Sequence, residues 1–306
     1  MKGIMKNRIL VLCAVGLALL MVTGCGPSGG GSGGSSSHPC SRGGKGLNVE
    51  FDDTNTLEVY DGRKDLDLRM YFCNFGYQEP RNPRYFITAN RNYFKGLGQS
   101  GAIPPTGARI EKTPYAFSEA VEHISEVSLP VDKGGLEGNF ETSIKVSACY
   151  DYTTLTTIQT CASPDKYSDE ACTPFATIKN VQDAPVEVTG VSESINAGVA
   201  TIEFRLRDVG GGRVVDTSKC PDNFRISDWD TIRIDEIKFD GEAISRPCSS
   251  DSRNCCTPSD KVTLFNGEGT VTCFKDLTGK QSDATVQSRF SYGYKYPVVK
   301  QVVIKT

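Results

Sequence analysis

The residues with the plainest chemistry are the cysteines, twelve in a chain of 306 residues. Cys25 closes the stretch Val22-Thr23-Gly24-Cys25, an apolar residue and two small ones followed by a thiol. Small residues suit a peptidase that must bind extended backbone closely, and the thiolate is what accepts a lipid. Cys25 is therefore read as the lipidated first residue of the mature chain. The residues before it agree. Lys2, Lys6 and Arg8 lead an apolar run from Ile9 to Val22, with no acidic residue before Glu50. At ~14 residues the run fits a signal-peptide core and is short for a bilayer span of roughly 20. Residues 26–37, GPSGGGSGGSSS, form a Gly/Ser tether with an r.m.s. reach of ~20 Å. Several acyl chains would make such anchoring durable, where one would be marginal.

Cys13 leaves with the signal, so ten cysteines remain: Cys40, Cys73, Cys149, Cys161, Cys172, Cys220, Cys248, Cys255, Cys256 and Cys273. An even number in an exported chain reads as disulfides. A metal site is disfavoured, because no C-x-x-C occurs and only His38 and His123 are available. Ten cysteines allow roughly nine hundred pairings. Strand phase narrows them. Cys73 and Cys149 fall opposite the apolar alternation of their strands, which disfavours a bond through the core. Cys149 and Cys161 lie symmetrically about Leu155 and are expected to face each other across a hairpin. The adjacent Cys255 and Cys256 should each bond elsewhere, in a polar loop from Cys248 onward that is pinned by its bridges.

The remaining motifs are weaker. Gly96-Leu97-Gly98-Gln99-Ser100-Gly101 matches G-x-G-x-x-G, but Pro104 and Pro105 follow where a dinucleotide site needs a helix. A Ser-His-Asp site needs a histidine; His38 lies in the tether and His123 stands in an acidic stretch. A cysteine nucleophile needs a persistent free thiol, which an oxidising compartment discourages. Asp228-Trp229-Asp230 could make a sugar platform, but a core or edge aromatic at a strand start explains it as well. The acidic run from Asp228 to Glu242 lacks the spacing of a calcium loop. Tyr292, Tyr294 and Tyr296 could form a contact patch, or simply one face of a strand. These residues point to no enzyme, no cofactor and no metal.

The elements that would position these residues are strands. In the first half Leu66, Leu68, Met70 and Phe72 alternate with polar residues and run into Asn74-Phe75-Gly76. In the second, Ala200, Ile202, Phe204 and Leu206 run into Asp208-Val209-Gly210. Period-2 alternation marks a strand with one buried face, and the exits are turn chemistry. Each half also ends alike, with Tyr150 and Tyr152 matching Tyr292 and Tyr294 in expected terminal hairpins. Val262 and Leu264 lead through Asn266-Gly267 to Val271 and Cys273, a hairpin signal. A phase change at Asp235-Glu236 predicts a bulge. Phe117, Ala120, Val121 and Ile124 fit one face of a short helix or an irregular segment. The pattern predicts an all-β chain of two tandem immunoglobulin-like sandwiches, with residues 1–24 as signal peptide, 25–46 as lipidated tether, 47–183 as the first domain and 184–306 as the second. Barrels are the alternative. Of 34 basic and 37 acidic residues, three basic and no acidic ones precede Cys25. The mature chain is mildly acidic, which argues against a nucleic-acid partner.

Cys149-Tyr150-Asp151-Tyr152-Thr153 followed by Cys161 resembles a CYxYxT…C motif of uncharacterised archaeal cell-surface proteins, especially those of small-genome lineages. Ala184-Pro185-Val186-Glu187-Val188-Thr189, Val209-Gly210-Gly211-Gly212-Arg213-Val214, Asn266-Gly267-Glu268-Gly269 and Ser291-Tyr292-Gly293-Tyr294 resemble the same family. Cys73 and the Cys255-Cys256 pair are less typical of it. The resemblance implies tandem Ig-like domains of the adhesion type on the cell surface, and it carries over no functional residue. The expected function is a lipid-anchored surface protein, extracytoplasmic and non-enzymatic. Its role is structural or adhesive, binding another surface protein or a glycan. The alternatives are an accessory subunit of an envelope complex, such as a transporter, pilus or secretion machine, and an enzyme acting on envelope glycans.

Overall fold

The structure is a computed structural model. It describes residues 40, 44–51, 57–60, 65–95, 99–107, 111–113, 116–117, 121–131, 138–161, 176–178, 183–217, 219–220, 225–244, 248, 253–277 and 283–305. The signal, Cys25, the tether and Cys172 lie outside them. The body is an all-β sandwich of several sheets. The first half contributes β1 (Leu47–Phe51), β2 (Leu57–Val59), β3 (Asp65–Asn74), β4 (Arg81–Ala89), β5 (Ser100–Ala102), β6 (Glu111–Thr113), β7 (Ala116–Phe117), β8 (Val121–Pro130) and β9 (Phe140–Cys161). Then come β10 (Ala176–Ile178), β11 (Val186–Asn196), β12 (Val199–Asp208), β13 (Arg213–Val215), β14 (Thr231–Phe239) and β15 (Glu242–Ala243). The last are β16 (Cys255–Thr257), β17 (Lys261–Thr263), β18 (Glu268–Asp276) and β19 (Asp283–Ile304).

One large sheet has the order β15-β14-β19-β9-β4-β5, with β2, β10, β13 and β17 paired beside this path. Two smaller sheets, β1-β3-β8 and β11-β12-β18-β16, pack on it. Phe72 of β3 stacks on Tyr85 of β4 at 5.7 Å, and Phe204 of β12 meets the edge of Phe290 of β19 at 6.3 Å. The buried residues of all three sheets form one contiguous apolar core.

The expected terminal hairpins are absent. β9 and β19 are each a single unbroken strand of 22 residues, and they pair antiparallel from Phe140↔Ile304 to Cys161↔Asp283. Thr153 to Thr157 contains no glycine, proline or asparagine to turn the chain, and β-branched threonines favour an extended path. The short helix suggested around Phe117 to Ile124 is absent too. Val121–Pro130 is strand β8, in rung-by-rung register with β3, and Ala116–Phe117 is β7. Tertiary pairing outweighs a weak helical periodicity there.

The internal repeat is real in register. Leu47 lies opposite Asn74 as Val186 lies opposite Asp208. Phe75 N–H donates to the Gly46 carbonyl, and Val209 N–H to that of Pro185, each at 2.8 Å. The Asn74 and Asp208 side chains each accept the N–H two residues on, from Gly76 and Gly210. The halves are interlaced rather than end to end. β19 pairs with β14 through residues 286–291 but with β2 through 302–304. β9 pairs with β4 through 144–151 and with β10 through 158–160. β1 packs against both long strands. Lys45 bridges across the midpoint to Asp183 and Glu187, each at 2.7 Å.

At the middle of the long pair Tyr150 faces Tyr294 and Tyr152 faces Tyr292. All four side chains are buried. Each phenol oxygen accepts a backbone N–H from the entry or exit of a covering strand: Leu47 to Tyr150 at 2.9 Å, Gln78 to Tyr152 at 3.2 Å, Val186 to Tyr292 at 3.1 Å and Gly212 to Tyr294 at 2.7 Å. Tyr294 in turn donates to Asp208 at 2.8 Å. Burial raises all four phenols above the ordinary value of 10.0.

Two outcomes follow. Since the folded values lie above the unfolded one, the stability these phenols contribute is whole below pH 10 and is lost as pH rises beyond it. Each should remove about 1.4 kcal/mol per pH unit while it stays protonated only in the folded state. Tyr292→Phe should flatten the alkaline fall and cost about 1–3 kcal/mol at neutral pH, by stranding the Val186 N–H. Denaturant titrations across the alkaline range test both; a flat profile would show that the phenols ionise in place. The interlacing predicts that residues 47–183 and 184–306, expressed separately, lack cooperative melting and regain it on mixing. A sharp transition in either piece alone would refute it.

Candidate functional site

The expected pair Cys149–Cys161 does not form. The two lie 12 residues apart on one continuous strand, roughly 40 Å along its axis. Cys149 is bonded instead to Cys220, 71 residues away. Cys161 is disulfide-bonded as well. Cys40 is bonded to Cys73, Cys248 to Cys255 and Cys256 to Cys273. The two vicinal cysteines therefore do take separate partners, and the loop at Cys248 is stapled. Cys73 also avoids the main core. With Cys40, Tyr71 and Phe75 it forms a small separate cluster on the opposite face of β3.

The Cys149–Cys220 bridge holds a strap across the outer face of the large sheet. Cys220 Sγ sits 3.9 Å from the carbonyl oxygens of both Tyr150 and Tyr294. Where the strap begins, it presses on Gly293. A Cβ there would lie 2.6 Å from Val215 Cγ2 and 3.0 Å from the Asp216 carbonyl. Glycine is what lets the two backbones approach.

Beside this strap a row of polar side chains crosses four adjacent strands. Arg233 of β14 lies opposite Ser291 of β19, which lies opposite Thr153 of β9. Arg81 of β4 reaches in from the next strand. Its Nη2 donates to Thr153 Oγ1 at 3.2 Å, and Thr153 Oγ1 stands 3.4 Å from Ser291 Oγ. Ser291 donates to Asp235, and Arg233 Nε stands 3.4 Å from the same carboxylate. The predicted bulge is present, as a register shift between Ile234 and Glu236. It leaves Asp235 without a rung partner on the same outer face as Arg233, and it shifts the phase so that Ile234 and Ile237 are both buried.

Two clefts flank the row and share Asp235. One, of about 680 Å³, lies against the strap and is lined by Asp216, Lys219, Arg233, Asp260 and Lys261 among others, with Lys261 paired to Asp216 at 2.5 Å. The other, of about 300 Å³, is lined by Gln78, Glu79, Arg81, Thr153, Leu155, Arg289 and Ser291 besides Asp235. Among the described residues Leu155 is its one apolar side chain. The arrangement can donate and accept hydrogen bonds over a broad polar surface. Ser291 has a carboxylate partner, and among the described residues no imidazole hydrogen-bonds to it. His123 is on β8, in a different sheet.

The other motifs take structural roles. Arg213 stacks over the Trp229 ring at 4.4 Å and pairs with Asp230 through two hydrogen bonds, at 2.8 and 3.2 Å, so the tryptophan face is covered. Asp228 closes a 3-10 turn by accepting the Arg225 N–H at 2.9 Å. Ser100–Ala102 is strand β5, so the glycine-rich match opens no helix. Tyr292 and Tyr294 are interior. Among the described residues no three His, Cys, Asp or Glu side chains stand together as a metal site would require. Sequence reasoning missed Arg81, Thr153, Arg289 and Ser291. The one signal toward them was the phase change at Asp235.

Replacing Cys149 and Cys220 together by serine should lower stability by about 4 kcal/mol, by the loop-closure estimate for this separation. Denaturant unfolding without reductant tests this; a loss under about 1 kcal/mol would mean that packing on Gly293 alone holds the strap. Compared with known proteins, the chain matches no family model and no curated sequence.

Proposed function

We propose that the chain is an exported surface protein, held to a membrane by lipid on Cys25. Its disulfide-locked β body serves a structural or adhesive role by binding another surface molecule. The reading rests first on the disulfides. Four bridges join described cysteines, and bridges of this density persist in oxidising compartments. The basic, apolar and small-residue order before Cys25 is what routes a chain to such a compartment. No helix among the described residues is long and apolar enough to cross a membrane. The transverse polar row supports a binding role, since it offers hydrogen-bond donors and acceptors on a rigid scaffold. A site whose groups are already ordered loses less entropy on binding.

Intact mass of the membrane-extracted chain, with thiol labelling before and after reduction, tests the reading. A start at Cys25, added acyl mass and no labelling before reduction is the expected result. Cys25→Ser should then shift the protein to the soluble or uncleaved fraction. A retained N-terminus, or cysteines of the body that label in the native state, would overturn the proposed location.

A further inference from the structure

We infer that the sandwich edge carrying Ile226 and Phe265 rests on the surface of the membrane to which the chain is attached, with both side chains buried among lipid. This deepens the proposed attachment and rests on it. The case starts from exposure. Ile226 is 94% exposed and Phe265 81%, while no other large apolar side chain among the described residues exceeds 56%. Both stand on tight, hydrogen-bonded turns. Phe265 and Glu268 exchange backbone hydrogen bonds at 2.7 and 3.0 Å around Asn266-Gly267. Ile226 opens the 3-10 turn that Asp228 closes. The two turns are neighbours. Thr263 pairs with Thr231, and Leu264 N–H donates to the Asp230 carbonyl at 2.7 Å. Carried one residue further, that pairing brings Phe265 level with Trp229, three residues after Ile226. Neither side chain belongs to the core, so folding alone does not call for apolar residues at these tips.

The place where the chain from Cys25 enters the body points to what covers them. Gly46 N–H donates to the Asp183 carbonyl at 2.9 Å, Val209 N–H to that of Pro185 at 2.8 Å and Asp208 N–H to that of Gly267 at 2.8 Å. A Cβ at Gly46 would lie 2.5 Å from Pro185. These contacts lead through adjacent residues from the N-terminal entry of the body to the Phe265 turn. With a tether reach of ~20 Å, a membrane held by Cys25 is within range of that edge, and effective concentration multiplies even weak insertion. The neighbouring side chains suit an interface. Trp229 is half-buried, with Arg213 over its ring at 4.4 Å, and tryptophan settles at the headgroup level. Arg225, beside Ile226, is exposed and can reach a headgroup phosphate while the apolar side chain goes deeper. Arg213 and Lys261 are paired with Asp230 and Asp216. The contact therefore draws mainly on apolar burial, and a bilayer without net charge suffices. Side chains on tight turns also lose little entropy on insertion.

Trp229 is the only tryptophan, so its fluorescence reports this edge alone. The test places the membrane-extracted chain in phosphatidylcholine vesicles whose acyl chains are brominated either near the headgroup or near the bilayer centre. Emission should be quenched by bromine near the headgroup and less by bromine near the centre. Ile226→Ser with Phe265→Ser should return emission to its level in unbrominated vesicles, at an unchanged melting temperature. Ile124→Ser, on β8, should change nothing. A chain that sediments with the vesicles yet is unquenched would overturn the inference and leave the attachment standing. One that does not sediment would overturn both. Quenching that survives the double substitution would show that Trp229 meets lipid by another route, against the inference. A blue shift that grows with the density of chains on unbrominated vesicles, and is lost in the double variant, would assign the edge to contact between copies instead.

Discussion

The antiparallel pairing of β9 with β19 sets the position of almost everything else. Its 22 rungs are contributed equally by the two halves of the sequence, so neither half completes its own sheet. The four tyrosines at its centre convert that pairing into a location for the covering sheets. Each phenol binds one backbone N–H at the entry or exit of a covering strand. The glycines at those points are required by the same contacts. A Cβ at Gly76 would meet the Tyr152 hydroxyl at 2.0 Å, and one at Gly210 the Tyr294 hydroxyl at 2.4 Å. A buried phenol is costly unless its oxygen is paired, so the cluster specifies position as well as contributing apolar area.

Much of this was legible locally. Alternation in Leu66 to Phe72 and Ala200 to Leu206 gave the buried faces, because a half-buried strand has no other way to place its apolar residues. Asn266 and Gly267 both have positive φ, as the Asn-Gly pair implied. The flanking strands nonetheless part company, since β17 pairs with β14 and β18 with β12. Turn chemistry fixes a change of direction, and burial decides which sheet each arm joins. The long strands were misread for a related reason. Strands of 22 residues are far above the usual length, and Pro297 within β19 argued for a break. That proline is tolerated because β19 is flanked there by β9 alone among the described residues; the β13 pairing reaches only as far as residue 295, and β2 begins opposite 302.

The polar row was not legible, and neither was the strap bridge. Arg81, Thr153, Asp235 and Ser291 come from four strands, and Thr153 and Ser291 are 138 residues apart. Only register brings them level. The phase of Cys149 correctly excluded a bond through the core. It could not reveal Cys220, which arrives on a loop. The two rungs flanking the centre show how the repeat has been used. Around the middle rung Asp151↔Gly293, one neighbour two rungs away is Thr153↔Ser291 and the other is Cys149↔Lys295. Equivalent places in the two halves thus hold a pair of hydroxyls on one side and a covalent staple on the other.

Under the proposed attachment through Cys25, the Cys40–Cys73 bridge would have a mechanical meaning. Tension arriving through residues before Cys40 crosses the sulfur–sulfur bond into the end of β3, next to Asn74 and the tyrosine cluster. The chain between the bridged cysteines, which are separated by 33 in sequence, would lie off that load path. β1, β2 and most of β3 are therefore shielded from pulling. Force is delivered to the interlaced centre of the body, where many rungs share it, rather than to a terminal strand that could be peeled away one hydrogen bond at a time.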